Sequence, residues 1–262
     1  PEQRETTTLL PSGRADRAEA NDIIQKELIR EGTLQGEGRN FNVRERPNHT
    51  HEELRYAKTW KDAQFLEVGS KNNPLGLAPG DYHIKEVRSD GRVILSDMRG
   101  KTHKIDPRKI DPTNRNDRLQ LANEKTIKVH ENEQIRWTDS DKRNGRGMLN
   151  ATRAKIEKVG PDGIVVRLAD GQQRVLANGD PMLKRMDLAY AINTNMAQGI
   201  TNDKVIPIMG SMQTNLSNAR AFLVNLTRQQ HDATIYTDNK AKLIKQLESN
   251  RGDKTSALET IG

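Results

Sequence analysis

Basic side chains are concentrated beside a tryptophan, in the stretch from Trp137 to Lys158. The first of them are Lys142, Arg143 and Arg146. Cations neutralise the phosphates of a nucleic acid, and an aromatic ring offers a surface on which a base can stack. We therefore predict that Trp137 and these three cations bind single-stranded DNA with little sequence preference. The alternative is that the stretch forms the solvated face of a hairpin.

A second stretch, AYAINTNMAQGIT at residues 189–201, changes from apolar to polar near its centre. Its first half is typical of a buried strand containing Tyr190 and Ile192. Gln198 and Gly199 then fall in the loop after that strand, which is where open α/β sheets bind ligands. Because glycine lets the backbone approach a phosphate closely, we expect this loop to lie near a nucleotide or DNA. An ordinary turn after a core strand is the alternative.

Composition favours a polyanionic partner and small cores. Only 33% of the 262 residues are hydrophobic and 3% aromatic, so the apolar cores must be lean. The formal net charge is +7 and the sequence pI is about 9.5, which makes a nucleic acid the expected partner. Cysteine is absent, which excludes disulfides and thiolate metal sites, and we predict no metal ligands. No apolar run is long enough for insertion into a membrane.

Both ends of the chain alternate between strand and helix patterns. Residues 5–10 predict a strand, and a helix follows up to Arg30 with an apolar face formed by Ala20, Ile23, Ile24 and Leu28. Near the other end, residues 204–208 and 232–237 predict strands, while 217–230 and a segment from Lys240 predict helices. This alternation is typical of an α/β sheet.

The middle of the chain repeats a β-meander. Residues 86–106 and 157–177 share one plan, in which Asp-Gly turns at Asp90 and Asp162 separate apolar, alternating strands. Two such copies predict two small SH3-like or OB-like β-barrels in tandem. Thr50 and Glu53 have the spacing of a capping box that starts a helix. The polar, proline-containing stretch 106–118 is predicted to be a linker.

Four segments together resemble superfamily 1 helicases. TTTLLPSGRADRAEAND, AYAINTNMAQG and NARAFLVNLTRQQHDATIYTDN resemble motifs IV, V and VI of the second RecA-like domain, and NEQIRWTDSDKRNGRGMLNATRAKI resembles the start of an inserted 2B region. The closest resemblance is to the RecD-like helicase part of TraI-type conjugative relaxase-helicases. It implies an α/β plus β fold, in which a partial RecA-like (2A) domain at 1–40 and 187–262 is split by barrel regions at 41–125 and 126–186.

The resemblance also implies roles for particular residues. Arg228 matches the motif VI arginine that stabilises charge on the γ-phosphate, and is the predicted catalytic residue. Gln198, Gly199 and Arg17 match nucleotide-binding positions. Asn195 stands where the family commonly has histidine near the DNA, so it departs from the pattern. The alternatives are a helix-terminal arginine for Arg228 and a surface arginine for Arg17.

No G-x-x-x-x-G-K-[ST] phosphate loop occurs in the sequence. We therefore expect ATP and Mg²⁺ only in a full-length parent protein, no cofactor in this chain, and no ATPase activity of the chain alone.

The family's partners and location follow from the same resemblance. Single-stranded DNA and a type IV coupling protein are the implied partners, because the inserted region of such relaxases serves as a translocation signal for type IV secretion. The bacterial cytoplasm is the implied location, with translocation to a recipient cell as a further step. The alternative is part of a RecD-like repair or phage DNA helicase.

Overall fold

A computed structural model describes residues 7–11, 13–47, 49–114, 116–141, 145–192, 204–211, 217–227 and 234–252. Besides two 3-10 turns, Pro107–Lys109 and Pro181–Lys184, the described residues form helices and strands. In chain order these are β1 (Thr7–Pro11), α1 (Arg14–Arg30), β2 (Gln35–Glu45), α2 (His51–Leu54), α3 (Ala57–Trp60), β3 (Phe65–Val68), β4 (Gly80–Val87), β5 (Val93–Asp97), β6 (Thr102–Ile105), β7 (Leu119–Glu131), β8 (Gln134–Trp137), β9 (Arg153–Gly160), β10 (Gly163–Leu168), β11 (Gln173–Ala177), β12 (Met186–Leu188), β13 (Lys204–Ile208), α4 (Ala219–Leu226) and α5 (Lys240–Ser249).

The chain divides into two compact units. Unit 1 consists of Pro1–Arg39, Lys128–Met182 and Met186–Gly262, and unit 2 consists of Asn40–Ile127 with Leu183–Arg185. The four domains expected from the sequence, with boundaries at 40, 125 and 186, remain a prediction. The mixed α/β, mostly sheet character of the fold class is confirmed.

Unit 1 contains a small parallel layer. Strands β1 and β13 pair in parallel, with Leu9 opposite Ile206. Single parallel bridges add Ala191 beside Leu9 and Tyr236 beside Ile208. A buried apolar cluster of Leu10, Ile192 and Val205 holds this layer together. The strands predicted at both ends of the chain therefore meet in one parallel arrangement.

Unit 1 also contains an antiparallel sheet with the strand order β11-β10-β9-β8-β12. Strands β9, β10 and β11 form the second predicted meander. Val166 of β10 lies opposite Ile156 of β9 and opposite Arg174 of β11. Alternate side chains are buried, as a sheet with one covered face requires: Ala154, Ile156, Ile164, Val166 and Leu168.

Unit 2 is built on the sheet with the order β2-β7-β3-β4-β5-β6, in which β4, β5 and β6 form the first predicted meander. Trp60 lies fully buried in its core and donates its indole N–H to the Leu54 carbonyl at 2.8 Å. The capping box is confirmed, since Thr50 Oγ1 accepts from the Glu53 N–H and Glu53 Oε2 accepts from the Thr50 N–H. The backbone hydrogen bond from Thr50 lowers the pKa of Glu53.

The predicted barrels are not confirmed, since each meander belongs to an open sheet and no closed barrel is found among the described residues. Two other expectations about these elements were wrong. The predicted linker is packed, with Ile110 and Asp117 buried and His51 Nε2 2.8 Å from Asp117 Oδ1. On α1, Ile23 is 54% exposed, and the buried positions of the helix are polar.

We predict that Gly163→Ala destabilises the protein more than Gly171→Ala, although both residues follow an aspartate in the same meander. A Cβ at Gly163 would lie 2.1 Å from the Leu176 carbonyl oxygen, so the β10–β11 pairing must shift. At Gly171, φ is +81° with open space around the position, so alanine should cost only the left-handed backbone penalty of about 1–2 kcal/mol. Urea unfolding measures both, and equal losses would contradict the prediction.

Candidate functional site

The parallel layer of unit 1 has a carboxyl edge at which several chain segments meet. Strand β1 ends at Pro11, β13 ends at Ile208, and the bridge at Ala191 is followed by Ile192. Because parallel strands have their carboxyl ends at the same edge, the segments after them begin close together. The segment after Ile192 contains Asn195, Gln198 and Gly199, which lie outside the described residues. Its described starting point is therefore at the edge where such sheets bind ligands.

Helix α1 leads away from the same edge and has a buried polar stripe. Arg17, Asn21 and Gln25 are spaced by four residues, so they lie on one face of the helix. Their exposed fractions are 6%, 4% and 9%. Buried polar groups require partners. The three residues find these partners in three different segments of unit 1.

Arg17 and Arg136 share one carboxylate. Asp187 Oδ2 lies 2.8 Å from Arg136 Nη2 and 3.9 Å from Arg17 Nη2, and all three residues are buried. The alternative of an exposed surface arginine at position 17 is therefore wrong. The predicted nucleotide contact of Arg17 stays a prediction. The arrangement anchors the first turn of α1 to strands β8 and β12.

Asn21 is paired with the backbone of Ala191. Its side-chain N–H donates to the Ala191 carbonyl at 3.2 Å, and its side-chain oxygen accepts from the Ala191 N–H at 2.8 Å. The amide thus satisfies both backbone groups of a residue, as a neighbouring strand would. This pairing fixes Ala191, which precedes the segment that contains Gln198 and Gly199.

Glu133 is the centre of the third contact. Its Oε1 accepts from the Tyr190 hydroxyl at 2.5 Å, and its Oε2 accepts from Gln25 Nε2 at 2.7 Å and from the His130 N–H at 3.3 Å. Burial raises the pKa of Glu133, although these hydrogen bonds act in the opposite direction. Burial and the neighbouring carboxylate also raise the pKa of Tyr190. Helix α1, the β7–β8 turn and the segment at residues 190–192 are joined at this carboxylate.

The predicted base-stacking role of Trp137 was wrong. Its side chain has no exposed surface and lies on β8 in register with the equally buried Met186. Strand β8 is covered on both faces, because Arg136 is buried on the side opposite to Ile135 and Trp137. A base therefore has no access to the indole ring.

Arg146 is engaged in ion pairs inside the protein. Its Nε lies 2.6 Å from Asp141 Oδ2, and its two terminal nitrogens contact Asp180 at 2.5 and 3.1 Å. These contacts raise the pKa of Arg146 and compensate its charge. The prediction that Arg146 binds a DNA phosphate thus loses its basis. Lys142, Arg143 and Arg228 lie outside the described residues.

Sequence reasoning missed Asn21, Gln25 and Glu133. A signal was present, because three polar residues recur at the helical spacing beginning with Arg17. Polar residues at this spacing are also typical of the exposed face of a helix, so the spacing alone does not reveal their burial.

We predict that Tyr190→Phe destabilises the protein by about 1–3 kcal/mol, because it leaves a buried carboxylate oxygen without its hydroxyl donor. Tyr236→Phe is the matched control, since Tyr236 is 57% exposed and its substitution should change stability by less than about 0.5 kcal/mol. Chemical unfolding measures both. Equal stability of the Tyr190 variant and the wild type would contradict the Glu133–Tyr190 contact.

A pH dependence follows from Glu133. The unfolded state loses its proton near the ordinary pKa of 4.5, whereas the folded state holds it to higher pH because burial raises the pKa. The unfolding free energy of the wild type should therefore fall relative to that of Glu133→Gln as the pH rises from 4.5 to the raised pKa. The slope is at most about 1.4 kcal/mol per pH unit, and the difference is constant above that interval.

Urea unfolding of both proteins at a series of pH values checks this expectation. The glutamine adds an offset that does not depend on pH, so only the change in the difference between the proteins is informative. Parallel curves for the two proteins would contradict it.

None of the helices in the described part of the chain combines the length and the apolar character that a membrane span needs.

Comparisons with known proteins identify the relatives of this chain. Residues 43–129 match the family model described as the DNA relaxase TraI 2B/2B-like domain. The chain is 30% identical over 248 residues to the multifunctional conjugation protein TraI of Escherichia coli, and 28% identical over 246 residues to that of strain K12. Each match covers 92% of this chain and 13% of the relative's length. The resemblance to TraI-type relaxase-helicases is thereby confirmed.

Solved helicase structures are also similar. The Pif1 helicase from Bacteroides in complex with ADP-AlF3 and ssDNA matches with a TM-score of 0.44 and 13% identity, over 97% of this chain and 44% of that chain. The Pif1 helicase from Candida albicans matches with a TM-score of 0.41 and 14% identity, over 95% of this chain and 50% of that chain.

Proposed function

We propose that this chain is part of a conjugative relaxase-helicase and binds single-stranded DNA during plasmid transfer. The observation that carries the proposal is the match to TraI over 92% of the chain. Because the chain spans only 13% of that relative, the activity of a whole relaxase-helicase is itself part of the proposal.

The described part of unit 1 supports a partial RecA-like domain. Parallel strands β1 and β13, with the bridges at Ala191 and Tyr236, bring the sequences similar to motifs IV and V to one edge. Asn21 and Tyr190 hold the strand before Gln198 and Gly199. In the proposed function, that loop contacts nucleotide phosphate and Asn195 contacts the DNA.

The chain alone does not fit ATP and Mg²⁺. Its sequence has no phosphate loop to hold the β- and γ-phosphates, and Arg17 already faces the Asp187 carboxylate. We propose that Arg228 acts as an arginine finger only towards a nucleotide that another domain of a longer protein holds. No catalytic step is assigned to this chain by itself.

We propose Lys142 and Arg143, which follow β8 in the sequence, as the DNA contacts, because Trp137 is buried and Arg146 is paired with Asp141 and Asp180. Cations that contact phosphates release counterions from the DNA, so affinity depends on salt. We predict salt-dependent binding of labelled oligothymidylate by the wild type. Lys142→Gln combined with Arg143→Gln should reduce the slope of log affinity against log salt by about 1.4, which corresponds to two lost contacts on a single strand.

The matched control is Lys240→Gln combined with Lys245→Gln, which removes two exposed charges from helix α5 and should leave most of the slope intact. Anisotropy titrations at several salt concentrations measure all three proteins. Absence of salt-dependent binding by the wild type would refute the DNA role.

A second candidate function is recruitment to type IV secretion. The match of residues 43–129 to the TraI 2B/2B-like domain favours it, because these residues supply most of unit 2. In this proposal, unit 2 is a translocation signal that a coupling protein recognises, and the chain acts in the bacterial cytoplasm before its transfer to a recipient cell. A RecD-like repair or phage helicase is the less favoured alternative, since the matched relatives are conjugation proteins.

A further inference from the structure

A surface pocket of about 480 Å³ lies in unit 2, and none of the residues predicted from the motifs lines it. Three segments that are distant in sequence form it: the α2–α3 region, the β4–β5 turn and the 3-10 turn after β6. Its polar and turn-forming lining residues are Glu52, Arg55, Tyr56, Lys58, Gly91 and Arg108. The volume lies in the range of about 300–1,000 Å³ that ligand sites occupy.

The fold explains why these side chains face the solvent. Leu54 and Trp60 anchor α2 and α3 in the core of unit 2, and the indole N–H of Trp60 binds the Leu54 carbonyl. The residues between these anchors include Arg55, Tyr56 and Lys58, which remain wholly or partly exposed. On the opposite wall, Gly91 adopts φ +82° in the β4–β5 turn.

The pocket carries an excess of positive charge. Three cations line it, against the single carboxylate of Glu52. Arg108 is held by Asp106 through two contacts of 2.8 Å, which lower the pKa of Asp106 to about 2. Arg108 therefore lines the pocket in a fixed position, and Asp106 already compensates the charge of Arg108.

Arg55 and Lys58 retain binding capacity. Arg55 Nη1 is 3.5 Å from Glu52 Oε1, a distance at the long limit of a hydrogen bond, and 39% of the Arg55 side chain is exposed. Lys58 forms no ion pair with any described residue and lies 6.0 Å from the centre of the Tyr56 ring. The two cations flank an aromatic ring that is itself 52% exposed.

We propose that this pocket binds one nucleotide of a single-stranded nucleic acid, with its base on the Tyr56 ring and its phosphodiester at Arg55 and Lys58. The proposal rests on the proposed DNA-binding function and assigns a site for it in unit 2. An exposed ring beside two cations matches the two contacts that each unpaired nucleotide offers. An acidic peptide would use the cations but would have no need of the ring.

The test separates the base contact from the phosphate contact. Anisotropy titrations compare labelled oligothymidylate with an abasic oligonucleotide of the same length at several salt concentrations. Tyr56→Ala should weaken oligothymidylate binding about 5- to 150-fold at every salt concentration and leave abasic binding unchanged. Tyr56→Phe keeps the ring and should bind both as the wild type does.

Arg55→Gln combined with Lys58→Gln should reduce the salt slope by about 1.4 for both oligonucleotides. The matched control is Lys71→Gln combined with Lys101→Gln. These exposed lysines follow β3 and β5 at the end of the sheet opposite to the Gly91 turn, so the control removes the same charge away from the pocket. It should change the slope by less than half as much. Thermal unfolding by circular dichroism confirms that each variant is folded.

Three outcomes would overturn this site while leaving the DNA-binding function intact, and the first two concern DNA binding itself. One is wild-type-like binding of oligothymidylate by Tyr56→Ala. The other is an equal loss of slope in the pocket variant and its control. If the pocket variant loses binding to oligoglutamate while its DNA binding is unchanged, the site belongs to an acidic protein partner and the nucleotide proposal is wrong. No oligothymidylate binding by the wild type would refute the proposed function itself.

Discussion

The need to pair buried polar groups determines how unit 1 is assembled. Helix α1 places an arginine, an asparagine and a glutamine against the protein interior, where an unpaired polar group costs about 1–3 kcal/mol. Apolar side chains can slide past one another, but the amide of Asn21 fits the two backbone groups of Ala191 in only one position. The polar stripe therefore fixes the register of the helix against its neighbours.

The same stripe joins segments that lie far apart in the sequence. Gln25 lies on α1, Glu133 lies in the β7–β8 turn, and Tyr190 directly precedes the bridge at Ala191. One carboxylate thus joins three segments within unit 1. A change in its protonation alters the hydrogen bond that holds Tyr190, so the chemistry of the buried network and the position of residues 190–192 are physically linked.

Local signals in the sequence predicted local structure well. Asp-Gly turns located both meanders, and the Thr50–Glu53 spacing located the start of α2, because each depends on neighbouring residues alone. Barrel closure could not be predicted, since it depends on pairing between distant strands. Trp137 and Arg146 were misassigned for a similar reason: the partners that bury or neutralise them include Met186 and Asp180, far along the chain. The prediction of a linker at residues 106–118 was wrong because composition does not reveal the contact between His51 and the buried Asp117.

The separation between Asn21 and Ala191 has a consequence for biosynthesis. These residues are 170 positions apart, and the amide of Asn21 is satisfied only when both are present. The whole intervening chain, including unit 2, must therefore be synthesised before helix α1 can pack against Ala191. Contacts of such long range slow folding because a large loop must close first. Unit 2 has its own apolar core and can form during that interval, so α1 reaches its final position later than elements that are synthesised after it.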